Sequence, residues 1–159
     1  MFFSSEKIIS LLTSYQYWIL FPLVVIEGPF TTVLAGFLAS LGKLNIVLAY
    51  MVVVVADLVG DSLYYLFGRF GKDFFQRYFQ RFFKITNEKI LFIEEQFQRH
   101  GGKILFIGKI THALGVIVLF SAGVVRYPYR YFLWYNLLPT LPKSLFFLLI
   151  GFYFGAAYP

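Results

Sequence analysis

The sequence has no cysteine and few charged residues. Charged residues make up 14% of its 159 residues, whereas a soluble domain carries about 25%. Hydrophobic residues make up 59%, aromatic residues 22%, and the mean hydropathy is +0.72. Because so little polar surface would keep the chain in water, the sequence predicts an integral membrane protein.

Other absences narrow the function classes. Zero cysteines exclude a disulfide framework and thiolate metal sites. There is no nucleophile–base motif, metal-ligand spacing or phosphate-binding loop, so we expect no catalytic residues, no cofactor and no metal, and an enzyme is the weakest hypothesis. No nucleic-acid module accompanies the net charge of +6, which we attribute to attraction to a membrane surface. The length suits one domain, residues 1–159.

Two apolar runs are long enough to cross a bilayer, which takes about 20 residues. They cover residues 44–67 and 131–154. Four further apolar runs are too short to cross and come in pairs, 17–26 with 30–41 and 104–110 with 116–125. Short paired runs are typical of half-helices that enter the bilayer, turn and leave on the same side. The alternative is that each pair forms one span broken by a kink.

The hinges of these hairpins are small or polar residues. In the first pair, Glu27 is followed by Gly28 and Pro29; in the second, Thr111 and His112 are followed by Gly115. Gly36 and Gly123 come near the end of the two hairpins, each after an alanine. We expect Gly28, Pro29, Gly36, Gly115 and Gly123 to set the hairpin geometry.

The two hydrophobic halves resemble each other. The stretch SLYYLFG at 62–68 matches SLFFLLIG at 144–151 apart from one extra residue. Internal similarity with broken segments in matching places is typical of transporters built from inverted repeats. The prediction is an all-α membrane protein with two inverted repeats, residues 17–71 and 102–156, each a re-entrant hairpin followed by one transmembrane helix.

The segment between the repeats, residues 72–101, differs in character. Aromatic residues recur on one face of a helix over 74–83, and basic and amide residues fill the other face. A second helix is predicted to end at His100, Gly101 and Gly102. Such a basic, aromatic linker is expected to lie in the membrane interface.

Lysine and arginine placement sets the orientation. With re-entrant hairpins, Lys7 and Lys43 lie on one side, and ten basic residues lie on the other: Arg69, Lys72, Arg77, Arg81, Lys84, Lys89, Arg99, Lys103, Arg126 and Arg130. This predicts a multi-pass protein of the inner or plasma membrane with a cytoplasmic linker.

Charged residues within the apolar segments are the candidate site. A charge at the bilayer centre costs about 2.5–3.5 kcal/mol, so these residues need partners or a water-filled cavity. The first repeat carries the acids Glu27, Asp57 and Asp61. Asp57 and Asp61 are four apart and share a helix face. Because two neighbouring carboxylates resist carrying both charges, we expect these acids to couple to protons.

The second repeat carries cations. Lys109, His112 and Lys143 are predicted to hold an anionic headgroup, with Arg69 at the end of the first spanning helix as a further candidate. Aligning the repeats places Asp61 on Lys143. The alternatives are that these charges form structural salt bridges between the repeats and that Arg69 only anchors its helix at the membrane surface.

Several motifs in this order resemble the DedA family, whose core is called the VTT domain. They are EGPFTTVLAGFLASLG, GDSLYYLFGRFG, GGKILFIGKITHALGVIVLFSAG and a closing helix ending GFYFG, and the likeness covers about residues 20–156. The resemblance implies two facing re-entrant hairpins and movement of undecaprenyl phosphate or phosphatidylethanolamine, often linked to protons. Eukaryotic relatives behave as scramblases.

The resemblance also assigns residues. Glu27 would match the family's first-hairpin acid, Gly68, Arg69 and Gly71 its Gly-Arg pattern, and Gly123 the glycine closing the second hairpin. Lys109 stands where the family usually has arginine, and a second-hairpin arginine and proline are replaced by Gly115 and Leu119. Lysine is a point charge, whereas arginine binds phosphate bidentately. The chain would be a short and divergent member.

The resulting hypothesis is a transporter that moves a lipid, a polyprenyl phosphate or a phospholipid such as phosphatidylethanolamine, with proton coupling. Its expected partners are membrane lipids. No obligate protein partner is evident, and homo-oligomerisation stays open. The alternatives are a proton or ion channel or antiporter, and a membrane scaffold that transports nothing.

Overall fold

The computed structural model describes residues 5–71 and 87–157. These residues form helices and no strand, which confirms the all-α prediction. The helices are α1 (Ser5–Glu27), α2 (Pro29–Ser40), α3 (Ile46–Phe70), α4 (Asn87–Ile110), α5 (His112–Val124) and α6 (Tyr129–Ala156).

The two long apolar runs form the two helices that can cross a membrane. Within the described part of the chain, α3 and α6 are long and apolar enough to do so. The helix α6 extends two residues beyond its predicted run at each end, whereas α3 begins two residues inside its run and ends three residues beyond it. Gly71 follows the end of α3, and Pro128 precedes the start of α6. Large apolar side chains are exposed on both helices, including Met51, Phe146 and Phe154. Exposure of this kind is expected where the surrounding solvent is lipid.

Residues 5–40 form a helical hairpin that turns at Gly28. Gly28 has a φ of 46°, in the region that glycine adopts most readily. The Thr31 hydroxyl donates to the Leu23 carbonyl at 3.4 Å, although eight residues separate them. Eight residues of straight helix would span about 12 Å, so the chain turns back here. The first helix is longer than predicted and begins at Ser5.

A second hairpin joins α4 and α5 at Thr111. A Cβ on Gly108 would lie 2.8 Å from the Val118 side chain, and one on Gly115 would lie 3.2 Å from the Gly108 carbonyl oxygen. These contacts require α4 and α5 to pack side by side. Both predicted hinges are therefore chain reversals.

The chain divides into two compact units. Unit 1 contains Met1–Gly60 and Leu141–Pro159, and unit 2 contains Asp61–Thr140. Unit 1 holds the first hairpin and unit 2 the second. The boundaries fall inside α3 and α6, so each long helix contributes one part to each unit.

In unit 1, the first hairpin packs closely on α6 through two glycines. A Cβ on Gly36 would collide with the Leu148 carbonyl, and a Cβ on Gly151 would collide with the Val33 carbonyl. Small residues at such crossings let helix backbones approach, which is how helices associate in membranes. The buried apolar residues around this crossing include Leu20, Val24, Ala35, Ala49, Val53 and Leu148.

In unit 2, the second hairpin packs on α3 in the same manner. A Cβ on Gly123 would collide with the Tyr65 carbonyl, and a Cβ on Gly68 would collide with the Phe120 carbonyl. The buried residues here include aromatic rings as well as aliphatic chains: Tyr65, Phe97, Leu105, Leu119, Ala122 and Phe132. The glycines singled out in the two similar sequence stretches thus make the tightest helix contacts of each unit.

The predicted linker is described only from Asn87 onward, and the aromatic face at 74–83 lies outside the described residues. The predicted helix end at His100 coincides with a break in α4. His100 has non-helical angles, φ −134° and ψ 20°, so α4 consists of two helical segments joined by a kink at this residue. The rings of Tyr127 and Tyr135 occupy the space where side chains of residues 101 and 102 would be, which only glycine leaves open.

Candidate functional site

A buried ion pair lies in unit 2. The Lys109 ammonium, in the last turn of α4, donates a hydrogen bond to Asp61 Oδ2 on α3. The Lys109 side chain is 4% exposed and that of Asp61 12%. A buried pair of opposite charges is tolerated because each offsets the cost of removing the other from water.

Asn136 completes this cluster. Its Nδ2 donates to the same Asp61 oxygen at 2.7 Å, and its side chain is fully buried on α6. Thr140, one turn further on, donates its hydroxyl to the Asn136 main-chain carbonyl at 2.8 Å. The Asn136 Oδ1 atom has no hydrogen-bond partner among the described residues. An unsatisfied buried acceptor costs about 1–3 kcal/mol, so a hydrogen-bond donor that reached this atom would be bound favourably.

Asn136 was not predicted as a site residue. The signal that could have found it is its spacing from Thr140, because two polar residues four apart lie on the same helix face.

A second ion pair lies in unit 1. Lys143 Nζ is 3.7 Å from Asp57 Oδ1, and the two side chains are 22% and 14% exposed. A Cβ on Gly28 would lie 3.9 Å from the same Asp57 oxygen. Asp57 therefore lies beside the turn of the first hairpin, near the N-terminal end of α2, where a negative charge is favoured.

The two ion pairs join charged residues that were selected from the sequence. The acids of the first sequence half each contact a lysine of the second half, Asp57 with Lys143 and Asp61 with Lys109. Each aspartate therefore has a cation that offsets its charge.

The first hairpin tip combines an exposed acid with structural threonines. Glu27, the last residue of α1, is exposed. Thr32 donates its hydroxyl to the Gly28 carbonyl at 2.8 Å, and Thr31 donates to α1 as described above. Both threonine hydroxyls therefore bond to backbone carbonyls near the turn, and the Gly28 carbonyl also accepts from the Thr32 N–H at 3.0 Å. Pro29 is the first residue of α2, where its missing N–H costs nothing.

At the second tip, Thr111 donates its hydroxyl to the Ile107 carbonyl at 2.9 Å. His112 begins α5, and its side chain lies outside what the structure describes. Gly115 donates its N–H to the Thr111 carbonyl at 3.2 Å and helps start α5.

Arg69 belongs to a different group of contacts. Its Nη1 donates to the Tyr65 hydroxyl at 2.9 Å, and that hydroxyl donates to the Tyr127 carbonyl at 2.5 Å. The guanidinium carbon also lies 5.9 Å from the centre of the Tyr65 ring. Tyr65 is fully buried. Arg69 is thus held by Tyr65 in the last turn of α3.

No group of three or more metal-ligating side chains occurs in residues 5–71 and 87–157. Two lysine–aspartate pairs do occur in these residues. Asp57–Lys143 lies beside the turn at Gly28, and in Asp61–Lys109 the lysine belongs to the last turn of α4, before the turn at Thr111.

The sequence model of the VTT domain matches residues 12–153. The chain belongs to the VTT-domain family. This confirms the family expected from the sequence motifs. One relative reported below is named as a membrane protein and another as a transporter of a lipid phosphate, and α3 and α6 are long and apolar enough to cross a membrane, so this VTT-domain chain is a membrane protein.

Among these relatives, an uncharacterized membrane protein of Synechocystis is 31% identical over 143 residues, covering 86% of this chain and 66% of its own length. Protein DedA of Escherichia coli K12 is 32% identical over 125 residues, covering 76% of this chain and 56% of its own. Undecaprenyl phosphate transporter A of Bacillus subtilis is 24% identical over 132 residues, covering 83% and 67%.

This VTT-domain chain therefore spans about half to two thirds of the length of the first two relatives. No solved structure matches it significantly.

Proposed function

We propose that the chain is a transporter that moves a lipid with a phosphate headgroup, a polyprenyl phosphate or a phospholipid such as phosphatidylethanolamine, across the bilayer. One observation carries this proposal: the buried Asp61–Lys109 pair with the unsatisfied Asn136 Oδ1 beside it. Ionisable residues inside membrane segments mark substrate or proton pathways. The name of the Bacillus subtilis relative supports a phosphate lipid as the substrate.

The proposed chemistry is an exchange of counter-ions. When Asp61 takes up a proton, Lys109 loses its negative partner, and a phosphate oxygen then becomes its counter-ion. When the phosphate leaves, Asp61 releases the proton and pairs with Lys109 again. Asp57 and Lys143 would act in the same way beside the first hairpin, with Glu27 as the exposed proton acceptor. His112 and Arg69 are the remaining candidates for headgroup contacts.

The proposed membrane arrangement places α3 and α6 across the bilayer and both hairpins as re-entrant segments. Two parallel observations support an inverted repeat. In each hairpin, a glycine packs on a carbonyl of a long helix: Gly36 on Leu148 and Gly123 on Tyr65. In each of these long helices, a glycine packs on a carbonyl of the hairpin: Gly151 on Val33 and Gly68 on Phe120. The excess of basic residues in and around 69–103 supports a cytoplasmic linker in an inner or plasma membrane.

The test is lipid movement in proteoliposomes. The purified full chain is reconstituted with fluorescent undecaprenyl phosphate or fluorescent phosphatidylethanolamine, and quencher-accessible fluorescence is followed with and without a pH gradient. We expect movement that is lost in Lys109→Met and Asp61→Asn and kept in Lys43→Met, since Lys43 is exposed and outside both pairs.

Each other outcome points to a different function. Proton flux that does not depend on lipid composition would replace the lipid transporter by a channel or antiporter. Folded protein that moves neither lipid nor ion would support the scaffold alternative. Movement that is unchanged in both Lys109→Met and Asp61→Asn would remove the buried pair from the mechanism.

A further inference from the structure

Unit 2 contains an open cleft of about 740 Å³ away from the Asp61–Lys109 pair. We call it the basic cleft. Its lining combines three basic residues of α4 with three tyrosines from the α5–α6 connection and α6: Arg99, His100, Lys103, Tyr127, Tyr131 and Tyr135. None of the described residues that line it is acidic. The cleft therefore offers cations and aromatic hydroxyl groups to a ligand.

The bend of α4 and its two glycines build this cleft. The non-helical angles at His100 turn the helix at the cleft. A Cβ on Gly101 would lie 2.5 Å from the Tyr127 ring, and a Cβ on Gly102 would lie 2.6 Å from the Tyr135 ring. Only glycine lets both rings rest against the α4 backbone. Burial raises the pKa of the Tyr127 phenol, and the neighbouring Tyr135 and Tyr131 add to the rise, so its hydroxyl remains a donor.

An apolar groove of about 350 Å³ adjoins the basic cleft. Its wall includes Phe106 and Ile107 of α4 and Leu138 of α6. Gly102, Lys103 and Tyr135 line both depressions, so the groove continues from the cleft. A ligand that fits both has a charged end and a hydrocarbon end.

The charges of the cleft select a negative ligand. Arg99 pairs with Glu95 at 2.9 Å, but these side chains are 69% and 55% exposed, and exposed pairs of this kind contribute little. An anion can therefore take Arg99 from Glu95 at small cost. His100 and Lys103 are also exposed. Phosphate suits such a set because it accepts several charge-assisted hydrogen bonds at once.

We infer that the basic cleft and the apolar groove together bind a membrane lipid with a phosphate headgroup. The phosphate lies among Arg99, His100 and Lys103, and the first part of the hydrocarbon chain runs along Phe106, Ile107 and Leu138. This site is separate from the Asp61–Lys109 pair, and its binding of lipid does not require that the protein transport one.

The test is lipid binding to the purified full chain in detergent, measured by native mass spectrometry. The probe is phosphatidic acid, compared with diacylglycerol, which has the same chains and no phosphate, and with inorganic phosphate as competitor. The key variant is Arg99→Gln with Lys103→Gln. The matched control is Lys43→Gln with Arg130→Gln, which removes two exposed cations that do not line the cleft.

We expect phosphatidic acid to bind about thirtyfold more weakly to the cleft variant, because each cation near an anionic lipid contributes a factor of about five. The control variant should bind it as the unaltered chain does. Ile107→Gln should weaken phosphatidic acid binding as well, since it places an amide in the groove. Circular dichroism checks that each variant is folded.

Three results would overturn the inference. If the cleft variant and the control variant lose phosphatidic acid binding equally, the binding reflects general attraction between charges and not a site in the cleft. Displacement of the lipid by inorganic phosphate at equal concentration would make the site one for a free anion. Loss of binding in Lys109→Met alone would place the lipid at the buried pair. That last result would leave the transport proposal intact, whereas absent transport with retained cleft binding would leave this inference intact.

Discussion

The buried Lys109–Asp61 pair makes a prediction about stability that is separate from transport. Lys109→Met removes the cation and leaves the Asp61 carboxylate buried with only the Asn136 amide as a described donor. Breaking a buried pair on one side typically costs about 3–5 kcal/mol. Because the Lys109 side chain is only 4% exposed, water cannot replace it. We expect a loss of unfolding free energy in this range.

A double variant separates the energy of the Asp61–Lys109 interaction from the effect of changing each side chain alone. Asp61→Asn with Lys109→Met removes both charges, and the side-chain amide oxygen introduced by the first substitution still accepts from Asn136. We expect the double variant to recover most of the loss, so the two substitutions should be coupled by at least about 2 kcal/mol. Lys43→Met should change little, since Lys43 is exposed.

The Asp57–Lys143 pair of unit 1 should stabilise the protein less than the Asp61–Lys109 pair of unit 2. Lys143 lies 3.7 Å from Asp57, and both side chains are more exposed than Lys109. Lys143→Met should therefore lower the free energy of unfolding by more than the loss of a surface ion pair does, which is about 1 kcal/mol. The decrease should be smaller than that caused by Lys109→Met.

The assay is reversible unfolding in mixed micelles of increasing SDS fraction, followed by far-UV circular dichroism. A cost below about 1 kcal/mol for Lys109→Met, together with no coupling in the double variant, would refute a buried pair in unit 2. If the double variant recovers stability but moves no lipid, the charges act in function as well as in folding. If it recovers both, the structural salt bridge is the whole role of the pair.

Two further predictions use the same unfolding assay. Gly36→Ala should cost more than about 2 kcal/mol, because the new methyl group collides with the Leu148 carbonyl, whereas Gly42→Ala should cost only the left-handed strain of about 1–2 kcal/mol; equal costs would contradict the close helix crossing. Tyr65→Phe should cost about 1–3 kcal/mol through its two buried hydrogen bonds. Tyr153→Phe, which alters an exposed ring, should be neutral, and a neutral Tyr65→Phe would show that the Arg69 contact contributes nothing.

The helices were predictable because the bilayer imposes a length. Apolar runs 44–67 and 131–154 were predicted as spanning helices, and the structure has a helix long and apolar enough to span over each, Ile46–Phe70 and Tyr129–Ala156. The turn at Gly28 was also predictable, since glycine followed by proline ends one helix and begins the next. The break at His100 was predicted as a helix end from the two glycines that follow it. The packing of Tyr127 and Tyr135 on Gly101 and Gly102 was not predicted, because the sequence does not show which residues meet across helices.

The site was predictable in its residue types and not in its pairing. Any charge in an apolar segment needs a partner, so Asp57, Asp61, Lys109 and Lys143 could be selected from sequence alone. Which aspartate meets which lysine depends on helix packing, which periodicity does not encode. Asn136 was missed for the same reason. A neutral amide can be recognised as a site residue only once its carboxylate partner, here Asp61, is known.

The division of the chain into units has a consequence for biosynthesis. Unit 2 is one continuous stretch, Asp61–Thr140, whereas unit 1 combines Met1–Gly60 with Leu141–Pro159. Synthesis from the N-terminus therefore supplies every residue of unit 2 before unit 1 receives its second segment. Asp61 can meet Lys109 while the chain is still growing. Asp57 emerges earlier than Asp61, yet it must wait for Lys143, so the first hairpin remains without its α6 contacts during most of membrane insertion.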